Sequence, residues 1–199
     1  MLVLVLDTSS PAVSAGLMEV SAAGCELLRE SVVIDGRRHG ELLAVGAREV
    51  LAGQRPSAVV VGTGPGPFTG LRVGLVTAAA MADAFGVPAY GVCSLDGFVD
   101  DGVVVTDARR REVYWARYAD GTRVQGPTVS APADLPAGAV LVGARLVEGV
   151  GGPEHVSVLR LARVAAARVL AGAPSEALTP LYLRRPDAVE LGAVKRVTA

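Results

Sequence analysis

The hydrophobic pattern of the first sixty residues predicts three strands, a helix and a fourth strand. Leu2–Asp7 is an apolar run that ends in an acid, and Ala12–Val20 follows it after a short polar turn. Such runs, bounded by turn residues, are typical of buried strands, and Cys25–Val33 continues as a third strand. Between His39 and Ala52, apolar residues recur three and four positions apart, which predicts an amphipathic helix. Ala58–Gly62 then predicts another buried strand.

The segment Gly70–Phe85 predicts a helix that is apolar on every side. Its only polar residues are Arg72, Thr77 and Asp83, and many of the others are small. Such a helix must be covered all round, so either two lobes bury it or a second protein covers one face. We favour a partner surface shared with the preceding helix; at about 16 residues the segment is too short to span a bilayer. The predicted surface residues are His39, Leu42, Leu43, Gly46, Val50, Gly70, Val73, Gly74, Thr77, Ala78 and Met81.

The second half of the chain repeats the plan of the first. Four residues at the start of each half match at one constant offset, and later segments match in the same order. An ordered series of matches predicts an α/β fold made of two duplicated lobes, 1–100 and 101–199. The matches are Val3, Val5, Asp7 and Val13 with Val103, Val105, Asp107 and Val113, Ala58–Gly62 with Ala139–Gly143, Leu71-Arg72 with Leu159-Arg160, and Pro88–Tyr90 with Pro180–Tyr182.

The second lobe is predicted to be a reduced version of the first. Only the segment Ala119–Gly138 stands where the first lobe has its third strand and first helix, and it contains Pro127, Pro132 and Pro136. Proline removes a backbone donor and clashes inside a helix, so we expect the helix to be missing there.

Composition excludes several classes of protein. Lys and Arg total 19 and Asp and Glu 20, so no basic excess indicates a nucleic-acid binder, and any such contact is expected to be shared with a partner. Cys25 and Cys93 lie far apart and form no CxxC pair, which indicates a reducing cytoplasm rather than a disulfide framework. Two histidines cannot build a multi-histidine metal site, and no apolar stretch reaches the length of a membrane span.

The sequence GTGPGPFTGLR, residues 62–72, joins a buried strand to a helix, where α/β proteins often bind anions. It lacks the lysine of a phosphate-binding P-loop, and its prolines remove backbone donors. Gly64 and Gly66 allow unusual backbone angles, and Thr69 is a candidate N-cap for the helix from Gly70. A ligand site and a rigid strand-to-helix elbow therefore both remain open.

Asp7, Thr8 and Ser9 end the first strand and are the other weak candidates for binding a nucleotide. An acidic residue followed by hydroxyl side chains can bind phosphates and their metal ion. The same residues can instead close a hairpin as an Asx turn, and we favour this second interpretation. His39 begins a helix, yet the position four residues on is Leu43, so a capping or surface role is favoured over metal binding. No catalytic residue or metal ligand is predicted.

Several stretches resemble the TsaB (YeaZ) family, the glycoprotease-like subunits of tRNA threonylcarbamoyladenosine (t6A) synthesis. The most specific are GPGPFTGLR and DARRREVYWA, and together the stretches span both halves in the family's order. The resemblance implies two duplicated lobes of actin/Hsp70-like (ASKHA, ribonuclease H-like) type. The matching stretches are LVLDTSSPAVSAGL (4–17), RRHGELL (37–43), GTGPGPFTGLRVGL (62–75), VTDARRREVYWARY (105–118) and PLYLRRPDA (180–188).

The resemblance also implies a function without catalysis in this chain. A TsaD-like paralogue would carry the metal, bind nucleotide and transfer threonylcarbamoyl from its adenylate to the adenosine beside the tRNA anticodon. This chain would stabilise that paralogue, recruit a TsaE-like P-loop ATPase, form a homodimer in the paralogue's absence, and meet tRNA only through the complex. The alternatives are a stand-alone actin-like ATPase, which would need phosphate loops in both lobes, and a glycoprotease-type peptidase, which would need a second metal ligand or an activated nucleophile.

Overall fold

A five-stranded sheet forms the centre of the first lobe in a computed structural model, which describes residues 1–137, 140–144 and 148–184. Its strand order is β3-β2-β1-β4-β5; β2 is antiparallel to both of its neighbours, β1 and β3, whereas β4 is parallel to β1 and β5 is parallel to β4. The strands are β1 (Leu2–Asp7), β2 (Ala12–Ser21), β3 (Gly24–Ile34), β4 (Ala58–Gly62) and β5 (Ala89–Val92).

Two helices cover one face of this sheet. They are α1 (His39–Leu51) and α2 (Phe68–Phe85), which also pack against each other. Alternate strand residues point to opposite faces, so Leu4 and Leu6 of β1 enter the core beneath the helices. There they meet Leu43 of α1 and Ala78 of α2, and this core fixes the positions of both helix N-termini at the same end of the sheet.

A four-stranded sheet forms the second lobe, with the order β8-β7-β6-β9. Between β8 and β9, the described residues contain one short 3₁₀ helix, Pro132–Asp134, where the first lobe has α1. This agrees with the helix loss predicted from the prolines, whereas strand β8 was not predicted. The strands are β6 (Gly102–Asp107), β7 (Val113–Ala119), β8 (Thr122–Ser130) and β9 (Leu141–Gly143), and helix α3 (Val158–Leu170) follows.

Helix α3 lies between the lobes. Its buried residues Leu161 and Ala165 join Val3 and Val5 of the first sheet and Val104 of the second in one hydrophobic cluster. The repeat in sequence placed α3 in the same order as α2, but α3 packs mainly on the first sheet. It therefore stabilises the contact between the two lobes.

Residues 173–184, here called the return segment, run back from α3 to the first lobe. The backbone N–H of Glu176 donates to Ala89 O at the edge strand β5 (2.9 Å), and that of Leu181 donates to Thr63 O (2.9 Å). The match of Pro180–Tyr182 with Pro88–Tyr90 is wrong structurally, because Ala89 and Tyr90 belong to β5 whereas 180–182 form no strand. Ala139, predicted as a strand residue, and residues 185–188 of the last family stretch lie outside the described residues.

Two predicted details of α2 are corrected by the structure. The helix begins at Phe68 with Pro67 as its N-cap, so Thr69 lies inside the first turn and makes no capping hydrogen bond. At 18 residues α2 is long and apolar enough to cross a membrane by length and composition alone. A core helix of a soluble protein passes the same test, and α2 packs against β4 and α1.

Candidate functional site

The carboxylate of Asp7 lies at the C-terminal end of β1 and accepts three hydrogen bonds. The Ser9 N–H (2.9 Å) and the Ser9 hydroxyl (2.7 Å) donate to Oδ1, which makes the Asx turn that the sequence favoured. The hydroxyl of Ser94, which follows β5, donates to Oδ2 (2.6 Å). Ser94 Oγ also accepts from the Gly64 N–H (3.0 Å), so it joins the first turn to the glycine-rich elbow.

Glycines of the elbow make room for this turn. A Cβ atom on Gly62 would lie 1.8 Å from Asp7 Oδ2, and one on Gly66 would lie 2.2 Å from Ser9 O. Both distances are far inside van der Waals contact, so side chains are excluded there. Gly64 has a φ of +93°, which glycine adopts freely. The elbow therefore lies directly against the 7–9 turn.

Thr8 fixes the same turn to the start of α2. Its Oγ1 donates to the carbonyl oxygen of Gly70 (2.8 Å), and a Cβ on Gly74 would lie 2.4 Å from that Oγ1. A Cβ on Gly70 would lie 2.6 Å from Thr8 O. Gly70 and Gly74 thus allow α2 to approach the end of β1 closely.

Burial raises the pKa of Asp7 above its usual value, because the low-dielectric surroundings disfavour the charged form. The hydrogen bonds from Ser94 and Ser9, and the charge of His39, oppose this shift. Asp7 and Thr8 are each 1% exposed. The carboxylate is thus a buried, hydrogen-bonded group rather than one displayed to solvent.

The structure brings five of the six candidate ligand-binding residues together. Asp7, Thr8, Ser9, Gly64 and Gly66 are all buried in one packed junction, whereas Thr69 is exposed on α2. Ser94 was missed by sequence reasoning, because nothing in the residues around it marks a contact 87 positions away. The junction favours the rigid-elbow interpretation of GTGPGPFTGLR, and nucleotide binding at these residues stays a prediction.

His39 is 8% exposed, and its Nε2 lies 2.9 Å from the carbonyl oxygen of Ser10. This contact ties the start of α1 to the β1–β2 hairpin. No group of three or more His, Cys, Asp or Glu side chains within 1–137, 140–144 and 148–184 could hold a metal ion. Cys25 and Cys93 are both free thiols.

Most of the predicted partner-surface residues face inward. His39, Leu43, Gly46, Val50, Gly70, Gly74 and Ala78 are buried in the chain's own core, so in this conformation they offer nothing to a partner. The correction has a physical reason: a three-and-four spacing shows that a helix has an apolar side, and here that side packs on the sheet. The half-buried residues Leu42, Val73, Thr77 and Met81 remain candidates.

The exposed side of α2 includes an apolar patch beside the charged residues Arg72 and Asp83, which are also exposed. Val76 is 68% exposed, and the small residues Ala79, Ala80 and Ala84 are exposed beside it. We call these four residues the outer α2 surface. A groove of about 490 Å³ runs along it, lined by Val76 and Ala79 on one side and by Glu176 and Leu178 of the return segment on the other.

A family model described as "TsaD: tRNA N6-adenosine threonylcarbamoyltransferase" matches residues 34–163, nearly two thirds of the chain. The chain belongs to the TsaD family. The match begins just before α1, includes the elbow and α2, and extends through the second sheet into α3.

Relatives of the chain include TsaB proteins. An uncharacterized protein of Mycobacterium tuberculosis is 47% identical over 95% of this chain and 94% of its own length. The tRNA threonylcarbamoyladenosine biosynthesis protein TsaB of Bacillus subtilis is 32% identical over 59% of this chain and 55% of its own length. TsaB proteins are thus homologues, as the sequence motifs indicated.

The fold agrees with solved YeaZ structures. YeaZ from Pseudomonas aeruginosa superimposes with a TM-score of 0.74 over 92% of this chain and all of its own, at 21% sequence identity. The predicted α/β fold with two lobes of actin-like type is therefore confirmed. The boundary near residue 100 stays a prediction, because α3 and the return segment both pack on the first lobe.

Proposed function

We propose that this chain is a non-catalytic scaffold subunit of t6A synthesis, which binds and stabilises a TsaD-like catalytic paralogue. Its homology with TsaB proteins supports a role in that pathway. Its relation to a TsaD of Corynebacterium, 33% identical over half of this chain, supports a paralogous partner built on the same plan.

The outer α2 surface is the observation that carries the scaffold role. Val76 leaves two thirds of its area in solvent, and its exposed neighbours on the helix are the alanines Ala79 and Ala80 and the charged residues Arg72 and Asp83. Exposed apolar surface that is removed from water on binding contributes about 25 cal/mol per Å². Small side chains also let a second helix approach closely, so the surface fits a helix of a partner protein.

The state of Asp7 supports a structural rather than a catalytic role for the first turn. Its two carboxylate oxygens accept hydrogen bonds from Ser9 and Ser94, and the backbone of the glycine-rich elbow packs directly against them. A phosphate or metal could reach Asp7 only if these contacts were broken. An ATPase active site at this position would thus have to use the same residues, Asp7 and Ser94, that here hold the first turn and the glycine-rich elbow together.

The wider assembly follows from the same proposal. Partner subunits would bind the metal and ATP or ADP, and a TsaE-like P-loop ATPase would join the complex. This chain would contact tRNA only as part of that complex. A homodimer in the absence of the paralogue would use the same α1 and α2 helices. The cytoplasm, without membrane association, is the expected location.

Co-elution with the TsaD paralogue of the same organism tests the proposal. Ala79→Arg introduces a long charged side chain on the outer α2 surface, at an exposed position where arginine is a good helix former. We expect this variant to remain folded by circular dichroism and to lose co-elution with the paralogue in size-exclusion chromatography. The matched control is Ala167→Arg, the same change at an exposed position of α3.

The control should co-elute like the unmodified chain. Retention of the paralogue by Ala79→Arg would contradict the assignment of the surface. Failure of the unmodified chain to bind the paralogue at all would contradict the scaffold role itself.

A further inference from the structure

The last four residues that the structure describes, 181–184, bridge the two lobes, and we call them the strap. The backbone N–H of Leu181 donates to Thr63 O, just after β4 (2.9 Å). The ring of Tyr182 stacks on that of Phe68 at the start of α2, with 4.7 Å between the ring centroids and 24° between the ring planes. These contacts fix the beginning of the strap to the first lobe.

Arg184 fixes the other end of the strap to the second lobe. Its Nη1 donates to Ala108 O (2.7 Å), and its Nη2 lies 3.5 Å from Glu112 Oε2. Ala108 and Glu112 both lie in the connection between β6 and β7. Only two residues after Tyr182, the chain thus contacts the opposite lobe.

The turn that Arg184 contacts has a disfavoured backbone conformation. Its three arginines, residues 109–111, have φ angles of 65°, 52° and 63°. Residues with a Cβ atom are disfavoured in this left-handed region, so the contacts around the turn must stabilise it. Arg184 provides one such contact, at the carbonyl oxygen of Ala108, and Asp107 provides another by accepting from the Arg109 N–H (2.7 Å). The strap and the turn therefore hold each other in place.

A second set of contacts joins the lobes at the opposite end of the second sheet. Tyr118 Oη donates to Asp96 Oδ1 (2.7 Å), and Arg123 Nη1 lies 3.3 Å from the same oxygen. Asp96 is in the short 3₁₀ helix after β5, whereas Tyr118 and Arg123 belong to β7 and β8. Tyr118 pairs with Gly102 at the start of β6, and the strap contacts the chain just after the end of that strand. Six strand residues, about 20 Å, therefore separate the two sets of contacts.

The two sets of contacts differ in burial. Tyr118 is 4% exposed and donates to a carboxylate, and such charge-assisted hydrogen bonds are strong. Phe68 and Tyr182 of the strap contact are 41% and 40% exposed, and the side chain of Glu112 is 39% exposed. Water competes for exposed contacts and screens exposed charges. The strap is therefore the weaker of the two connections and is the one that breaks first.

We propose that the strap is a releasable connection that controls the width of the opening between the two lobes. With Tyr182 and Arg184 in contact, as in this structure, the β6–β7 turn is held close to the start of α2. When either contact is lost, the second lobe turns about the contacts of Asp96, and the β6–β7 turn moves away from the first lobe. Both sheets stay intact in this movement, because the strap belongs to neither of them.

Distances between two spin labels, one on each lobe, test the proposal in the isolated chain, so its failure is distinct from a failure of the scaffold role. The labels are attached at Ala22→Cys, in the β2–β3 turn, and at Ala133→Cys, in the 3₁₀ helix after β8, and both positions are exposed. Cys25→Ser removes the half-buried thiol, and the buried Cys93 is left in place. With the strap unmodified, double electron–electron resonance should give one narrow distance distribution.

Two strap variants should each add a second, separate distance population. Arg184→Gln removes the contact with the second lobe, and Tyr182→Ala removes the contact with the first lobe. The two contacts act in series along one strap, so the double variant should show no more of the second population than either single variant. The matched control is Arg117→Gln, which removes an exposed arginine of β7 and should leave the distribution unchanged.

Circular dichroism verifies that each variant is folded before its distances are compared. A single narrow distribution in both strap variants would overturn the proposal, as would the same second population in Arg117→Gln. A double variant with a much larger second population than either single variant would also overturn it. In that case Tyr182 and Arg184 would be independent stabilising contacts and not the two ends of one connection.

Discussion

Ser94 Oγ donates a 2.6 Å hydrogen bond to Asp7 Oδ2, although the two residues are 87 positions apart in the chain. The bond links the C-terminal ends of β1 and β5, and Gly62 lies directly between them at the end of β4. Three strand ends of one sheet are thus joined at one point beside the lobe interface. The rigidity of the glycine-rich elbow depends on this point.

Gly62→Ala should be strongly destabilising. The new Cβ would lie 1.8 Å from Asp7 Oδ2 and 2.5 Å from Ser94 Oγ, so one of the two side chains must move and the hydrogen bond between them is lost. Overpacking of a rigid core costs up to about 3 kcal/mol, and the lost bond adds to that. Urea denaturation followed by circular dichroism measures the change.

The matched control for that prediction is Gly40→Ala, because a Cβ at Gly40 meets no atom within 4 Å and the residue lies in the first turn of α1. Its free energy of unfolding should change by less than about 1 kcal/mol, in the stabilising direction. If Gly62→Ala were as mild as Gly40→Ala, the junction would not be as tightly packed as described.

Asp7→Asn should change how stability depends on pH. Burial raises the pKa of Asp7 in the folded state, so between the unfolded and the folded pKa the folded chain binds more protons. The stability contributed by Asp7 is therefore largest at acid pH and decreases as the pH rises through its folded pKa. Asparagine does not titrate, so the stability of the variant relative to the unmodified chain should increase across that interval.

Asp100→Asn is a control of opposite sign. The hydrogen bond and charge of Arg160 lower the pKa of Asp100, so its contribution is present above the unfolded pKa and is lost as the pH falls. Urea denaturation of the three proteins at a series of pH values on both sides of the unfolded pKa of aspartate compares the two slopes. Parallel curves for Asp7→Asn and the unmodified chain would show that Asp7 does not titrate differently in the folded state.

The regular elements of the first lobe could be predicted because their signals are local. β1 and β4 were placed with the bounds that the structure gives, since each is a short apolar run between turn residues. The start of α2 was placed two residues late, because Pro67 rather than Thr69 is its N-cap. A proline before a helix and a threonine inside its first turn leave nearly the same local pattern.

Longer-range relationships could not be predicted in the same way. The hydrophobic stripe of α1 correctly predicted a helix, but it could not show that Leu43 and Gly46 face the sheet instead of a partner. The repeat gave the order of the elements but not the packing of α3 on the first sheet, which is a tertiary feature. Ser94 is an ordinary serine in sequence, and only the pairing of β4 with β5 brings it beside Asp7.

A double-mutant cycle on Arg168 and Glu176 should show that the return segment stabilises the first lobe. The guanidinium Nη1 of Arg168 lies 2.6 Å from Glu176 Oε1 and also donates to Gly91 O (3.2 Å), while Glu176 Oε2 accepts from the Gly91 N–H (3.2 Å). Each side chain is only about a third exposed, so solvent screens the pair partially. We expect a coupling free energy of about 1 kcal/mol between Arg168→Ala and Glu176→Ala in urea denaturation.

The Arg38–Glu41 pair is the matched control for that cycle, because its side chains are 58% and 71% exposed and it lies on one helix turn. Its coupling should be about 0.3 kcal/mol, as for other exposed helix pairs. Equal coupling in the two cycles would mean that Arg168 and Glu176 act as an ordinary surface pair. A larger value for Arg168 and Glu176 would mean that the segment after α3 is bonded to the edge strand β5. The groove beside the outer α2 surface would then have a fixed second wall, because Glu176 lines it.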